Sequence, residues 1–245
     1  MRKLFCFSIL LAIAILALSL RDVHASLVTV NKTGEAVLNV LSEEDSSGPG
    51  DQVGTIEVVG GAPEVKYSNA KIALTKDRGK LSLSILSSSG GKDFDITNYK
   101  DSVLEIEERP AVEKITISVN NGTFLITQGN INAETDYQIQ VDPKKGNLAL
   151  ETPSGYKFLT ILPKQAASVL LRAKLATTIT PDERAYIFED EKGNLYYDLT
   201  AKKIIPILNI YNYEFGVRAK VSATSGEIIS IDEPAWYRFF NFLFV

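Results

Sequence analysis

Runs in which every second residue is apolar, separated by residues suited to tight turns, constrain this chain most, because a side-chain period of two marks strands with one buried face. Ile72 and Leu74 lead through Asp77-Arg78-Gly79 to Leu81, Leu83 and Ile85. Ile115, Ile117 and Val119 lead through Asn121-Gly122 to Phe124 and Ile126, and Asn-Gly accepts the positive φ angles of a type I′ hairpin turn. The pattern continues through Tyr137, Ile139 and Val141, a turn at 143–146, Leu148 and Leu150, a turn at 153–155, and a strand over 158–162. After residue 185 it returns: 186–188, a Lys192-Gly193-Asn194 turn, 195–199, one long run over 204–221, and a Thr224-Ser225-Gly226 turn into 228–231.

One stretch changes period. From Pro163 to about Thr178, Ala166, Val169, Leu170, Ala173 and Ala176 or Leu175 recur at three- and four-residue spacing, and Pro163 suits a first helical position, where its missing N–H costs nothing. The expected fold class is therefore β-rich α+β, with antiparallel sheets and one main amphipathic helix in the C-terminal half. The expected division is a β-sheet domain over 26–110 and an α+β domain over 111–245, after an export signal over 1–25.

That signal is read from Arg2 and Lys3, an apolar run from Leu4 to Leu20, and Val23-His24-Ala25, whose small and β-branched residues fit signal peptidase. As a helix the run would extend about 25 Å, marginal for a permanent anchor. Cleavage after Ala25 is the expectation and retention as an anchor the alternative. The single Cys and single His of the 245-residue chain, Cys6 and His24, both fall in this segment. The segment that remains therefore has no thiol, no imidazole and no disulfide, which closes cysteine, Ser/His/Asp and histidine-zinc chemistry to it. The net charge of the whole chain is −4, and cleavage would remove Arg2, Lys3 and Arg21 against Asp22 alone. Without a basic stripe to neutralise phosphates, nucleic acid is not an expected partner.

The remaining chemistry is that of hydroxyl, amine, amide and carboxylate. Ser68 to Lys71 and Ser89 to Lys92 have the Ser-x-x-Lys spacing of a serine nucleophile with a lysine base, but that spacing needs a helix and these lie on a strand and in a loop. Asp182-Glu183, Glu189-Asp190-Glu191 and Asp232-Glu233 are the candidates for a carboxylate hydrolase, and each borders a turn. Glu43, Glu44, Asp45 and Asp51 around Gly48 and Gly50 lack the alternating ligand spacing of a calcium loop and read as an acidic linker. Two sequons, at 31–33 and 121–123, match a glycan acceptor, the second within a hairpin turn. No enzyme activity, cofactor or metal is expected.

Residues 217–231, Val-Arg-Ala-Lys-Val-Ser-Ala-Thr-Ser-Gly-Glu-Ile-Ile-Ser-Ile, resemble the closing hairpin of PepSY domains, with Ser222 where an Asp is usual and Thr224-Ser225-Gly226 in place of x-Thr-Gly. The C-terminal half is similar to predicted exported proteins of uncultivated bacterial lineages that end in such a hairpin and an aromatic tail. The resemblance implies a small non-catalytic module, in known cases associated with restraining proteases or sitting beside membrane-bound proteins at the cell envelope.

The tail places Trp236, Tyr237, Phe239, Phe240, Phe242 and Phe244 within the last ten residues. Exposing all six would leave an apolar patch of order 1,000 Å², beyond what soluble monomers usually carry. The chain's own sheet, a membrane surface or an envelope protein must cover them. The expected role is non-catalytic binding or scaffolding by an exported envelope protein, through these six residues if they meet a membrane or partner. The alternatives are a PepSY-like modulator of a secreted protease and a histidine-free carboxylate hydrolase.

Overall fold

The structure, a computed structural model, describes residues 26–39, 65–88, 90–110, 112–179, 184–207 and 211–240. The proposed signal over 1–25 and the acidic stretch from Glu43 to Asp51 lie outside them, as do Ser89, Asp182, Glu183, Phe242 and Phe244.

Two sheets share the chain in alternate visits. β1 (Val28–Val30), β2 (Ala36–Leu38) and β3 (Val65–Tyr67) enter the larger sheet. β4 (Lys71–Asp77), β5 (Lys80–Ser87) and β6 (Gly90–Asp95) form half of the smaller one. β7 (Ser102–Ile106), β8 (Ile115–Asn120), β9 (Thr123–Gln128) and β10 (Ile131–Thr135) return to the first. β11 (Gln138–Asp142), β12 (Asn147–Thr152) and β13 (Gly155–Phe158) complete the second. After the helix α1 (Pro163–Arg172), β14 (Ala185–Glu189), β15 (Leu195–Ile207), β16 (Tyr211–Ser222) and β17 (Ile228–Asp232) finish the larger sheet, and α2 (Ala235–Phe240) follows.

The larger sheet has eleven strands in the order β17-β16-β15-β14-β10-β9-β8-β7-β1-β2-β3, and the smaller has six in the order β13-β12-β11-β4-β5-β6. Pairing is antiparallel except where β1 meets β7 and β10 meets β14. Both parallel pairs arise because the chain leaves for the second sheet between them. Both sheets draw strands from either side of residue 110, and β4 pairs with β11 across that position.

Period-two alternation supplies the shared core. Leu81, Leu83 and Ile85 of β5 are fully buried, as are Ile115 and Ile117 of β8 and Phe124 and Ile126 of β9. They belong to one hydrophobic cluster spanning both sheets, and burying each such side chain stabilises the fold by about 1.5–3 kcal/mol. The tight turns follow their residues: Arg78 and Gly79 take φ of 48° and 83°, and Asn121 and Gly122 take 49° and 79°.

This fold is a β-rich sandwich and corrects the expected α+β class with its main amphipathic helix over 163–178. Among the described residues there are two short helices, and α1 ends at Arg172. The reason is local. Lys174 adopts φ 55°, its N–H donates to the Leu171 carbonyl, and the Leu175 N–H donates to the Leu170 carbonyl, the paired bonds of a Schellman stop. The chain then bends onto β15, where the Thr177 N–H donates to the Lys202 carbonyl at 2.8 Å and Thr178 bridges to Lys202.

The helix still covers apolar surface. Six strands about 4.8 Å apart span only about half the width of eleven, so part of the larger sheet extends past its partner. α1 packs there against β9, β10, β15 and β16 with Ala166, Ala167 and Leu170 buried. Its first turn is satisfied by side chains: Gln165 Oε1 accepts from the Leu162 N–H, and the buried Gln128 offers Oε1 to the Lys164 N–H at 3.1 Å.

Candidate functional site

β15 and β16 are the longest pair, matched from Tyr196 opposite Ser222 to Ile207 opposite Tyr211. The sequence reading treats 204–221 as one run; in the structure Leu195–Ile207 is one strand and Tyr211–Ser222 another, paired antiparallel. β14 supports β15 only up to Asp198, Thr178 bridges to Lys202, and β17 supports β16 from Arg218 onward. Beyond these points, among the described residues, 203–207 and 211–215 pair only with each other. At about 3.3 Å per residue they form a two-stranded arm roughly 16 Å long.

The odd-numbered residues of both strands share one face. Nearest the main core it carries Tyr197, Leu199, Ala201, Ala219 and Val221, all in the large cluster. Further out, Ile205, Phe215, Val217 and Tyr237 form a second small cluster with Trp236 packed against it. A two-stranded ribbon has too little apolar surface to be stable alone, and α2 supplies the missing cover. Trp236 meets Tyr213 and Phe215 edge-on, each at 5.3 Å between ring centroids, and Tyr237 lies 4.8 Å from Phe215. The Lys203 ammonium sits 4.5 Å from the Tyr237 ring centre and 3.5 Å from Glu233, which closes the polar side of the cluster.

The aromatic tail is thus divided. Tyr237 is buried in the arm and Trp236 is half-buried, whereas Phe239 is 76% exposed. Phe240 ends α2, and its side chain, like Phe242 and Phe244, lies outside the described residues. On the strands, Tyr211 is 64% exposed and Tyr213 is also exposed, so the end of the arm presents tyrosine rings to solvent. Sequence reasoning missed Tyr211 and Tyr213 as members of this surface; their signal was the alternation Tyr211, Tyr213, Phe215, Val217, which places all four on one face of a strand.

Among the described residues, the candidate carboxylates Glu189, Asp190 and Glu233 have partners within the fold. Glu189 accepts hydrogen bonds from the Ser154 hydroxyl and from Thr152 Oγ1 at 2.8 Å, with Lys157 Nζ 3.7 Å away. The Ser154 hydroxyl above all, and then Thr152, hold its carboxyl below the usual range. This cluster ties the β12–β13 turn of the smaller sheet to β14 of the larger. Ser154 and Lys157 also have Ser-x-x-Lys spacing, which sequence reasoning did not single out; the serine hydroxyl donates to Glu189 and the lysine donates to the Gly193 carbonyl at 2.6 Å. Asp190 accepts from the Lys192 and Asn194 N–H groups in its own turn. Glu233 faces Lys203, and Asp232 lies opposite Arg218 in the β16–β17 register. The Ser68 hydroxyl donates to Glu35, and the Lys92 ammonium sits 5.0 Å from the Phe94 ring centre.

A cleft of about 920 Å³ opens beside the start of α1, lined in part by Arg109, Glu113, Gln128 and Gln165. These polar groups have partners within the fold: Arg109 donates to the Pro143 carbonyl at 2.6 Å, and Glu113 accepts from Gln128 and from Lys164. The aromatic end of the arm is therefore the stronger candidate for contact with another molecule. No family model, curated protein or solved structure matches this chain.

Proposed function

We propose that this protein is a non-catalytic, exported protein of the cell envelope that binds or scaffolds at a membrane surface through the end of its β15–β16 arm. The observation that carries this reading is the exposure of Tyr211 and Tyr213 on a ribbon that extends past the strands supporting it, and of Phe239 on the helix packed against that ribbon. Tyrosine and tryptophan have an apolar body and a polar tip and suit the boundary between headgroups and acyl chains. Arg238, exposed on α2 between Tyr237 and Phe239, suits the same boundary. Among the described residues no helix is long and apolar enough to cross a membrane, so the contact in this reading is interfacial.

The test is flotation with lipid vesicles, using a chain that begins at Ser26 so that the apolar run from Leu4 to Leu20 contributes nothing. Burying about 100 Å² of apolar ring is worth about 2.5 kcal/mol. Tyr211→Ser with Phe239→Ser is expected to reduce vesicle partitioning by at least about tenfold. Equal flotation of variant and parent would exclude the arm as the contact.

A further inference from the structure

The outer face of the six-stranded sheet carries a second surface, independent of the arm. Three of the chain's exposed large apolar side chains are gathered there: Leu86 at 57%, Tyr156 at 55% and Phe158 at 62%. They stand around a depression of about 620 Å³, within the range of pockets that enclose small molecules. The register explains its shape. Ala73 lies opposite Gln140, Gln140 opposite Ala149, and Ala149 opposite Phe158, so one cross-strand row has two alanines as floor, an amide between them and a ring as wall. In the next row Glu151 lies opposite Tyr156.

The strand that carries the two rings is held from behind. Between them in sequence, Lys157 points the other way and donates to the Gly193 carbonyl, while Thr152 and Ser154 bind Glu189 of β14. The edge strand β13 is thus fastened to the opposite sheet, so the backbone that carries Tyr156 and Phe158 is in place before any ligand arrives.

We infer that this trough binds a neutral oligosaccharide, its sugar rings lying against Tyr156 and Phe158 and its hydroxyls on the amides of Gln140 and Asn147. The chemistry of the lining selects this occupant. The backbone groups of β4, β11 and β12 are used in pairing with their neighbours, so a peptide could not add as a strand here as it does at a sheet edge. An acyl chain would meet Gln140, Asn147, Asp142 and Lys71 in a lining it needs apolar. A sugar has C–H faces for the rings and hydroxyls that both donate and accept, as side-chain amides do.

The test is calorimetric titration of the purified full-length protein with cellohexaose, xylohexaose, a β-1,3-linked glucose hexamer and hexa-N-acetylchitohexaose. At least one should bind with Kd below about 1 mM. Phe158→Ala and Tyr156→Ala, both on the outer face, should each weaken that binding by about tenfold, and Gln140→Leu should weaken it without removing a wall. Phe239→Ser on the arm should leave it unchanged. For the unmutated protein, amide chemical-shift changes on adding the sugar should fall on β4, β11, β12 and β13, a readout that does not depend on any variant folding. Absence of binding by all four sugars, shift changes located elsewhere, or wild-type affinity in both ring variants would overturn the proposal.

Discussion

Tyr197 has its whole side chain in the core and one hydroxyl to place there, and it donates to the Ile161 carbonyl at 2.7 Å, just ahead of α1. Burial pushes its phenol well above the ordinary range, so it stays a donor at every working pH. Tyr197→Phe leaves that carbonyl without its partner and should cost about 1–3 kcal/mol, read as a lower urea midpoint. Asp95 shows the opposite shift. Hydrogen bonds from Thr97 and then Lys80 bring its carboxyl down to about 2. A depressed folded-state value makes its stabilising contribution complete above the ordinary aspartate value of about 3.9 and progressively lost as pH falls towards 2. Asp95→Asn should therefore flatten the fall in thermal midpoint between those two pH values. Similar residue-scale logic was legible in the sequence wherever chemistry is local: Arg78-Gly79 and Asn121-Gly122 make the expected tight turns because the residues themselves supply the positive φ. Ser222, standing in the turn before Gly226, accepts from the Thr224 and Ser225 N–H groups through its Oγ.

Elements end where a few residues override a longer pattern. The helical periodicity over 163–178 is real to Arg172 and then gives way to Lys174 in the left-handed region, a conformation that a side chain makes costly. Lys174→Gly should retain the Schellman bonds and raise stability by up to about 1 kcal/mol, measured by chemical denaturation. The turns of the two sheets also meet. Gly34, at φ 80° between β1 and β2, would place a Cβ 2.9 Å from the Cα of Lys144 and 3.1 Å from the Pro143 carbonyl, in the turn between β11 and β12. Gly34→Ala combines an unfavourable φ with a backbone collision and should destabilise the fold by more than about 1 kcal/mol, with a matching fall in thermal midpoint. Contacts of this kind were not legible, because nothing local in Asn31-Lys32-Thr33-Gly34 announces a neighbour more than a hundred residues away.

At the scale of the molecule, the alternate visits to two sheets explain why strands were readable and their arrangement was not. Period two identifies a strand and its buried face, but the neighbours β1 and β7, β4 and β11, and β10 and β14 are joined by long stretches of chain. The sites follow the same rule. The aromatic tail was visible as a composition, yet only packing on Phe215 and Ile205 separates buried Tyr237 from exposed Phe239. Tyr156 and Phe158 were invisible as a pair because the strand there was expected over 158–162, whereas β13 runs Gly155–Phe158. In the proposed account the larger sheet continues past its partner into an arm, α2 covers part of that arm, and a lipid surface covers the rest. Trp236, the single tryptophan of the chain, sits in the arm and reports on this directly. With a chain beginning at Ser26, vesicles whose acyl chains carry bromine should quench Trp236 fluorescence strongly, and Tyr211→Ser with Phe239→Ser should abolish most of the quenching. Fluorescence unchanged by brominated vesicles, at lipid concentrations where the protein floats with them, would contradict the arm as the point of contact.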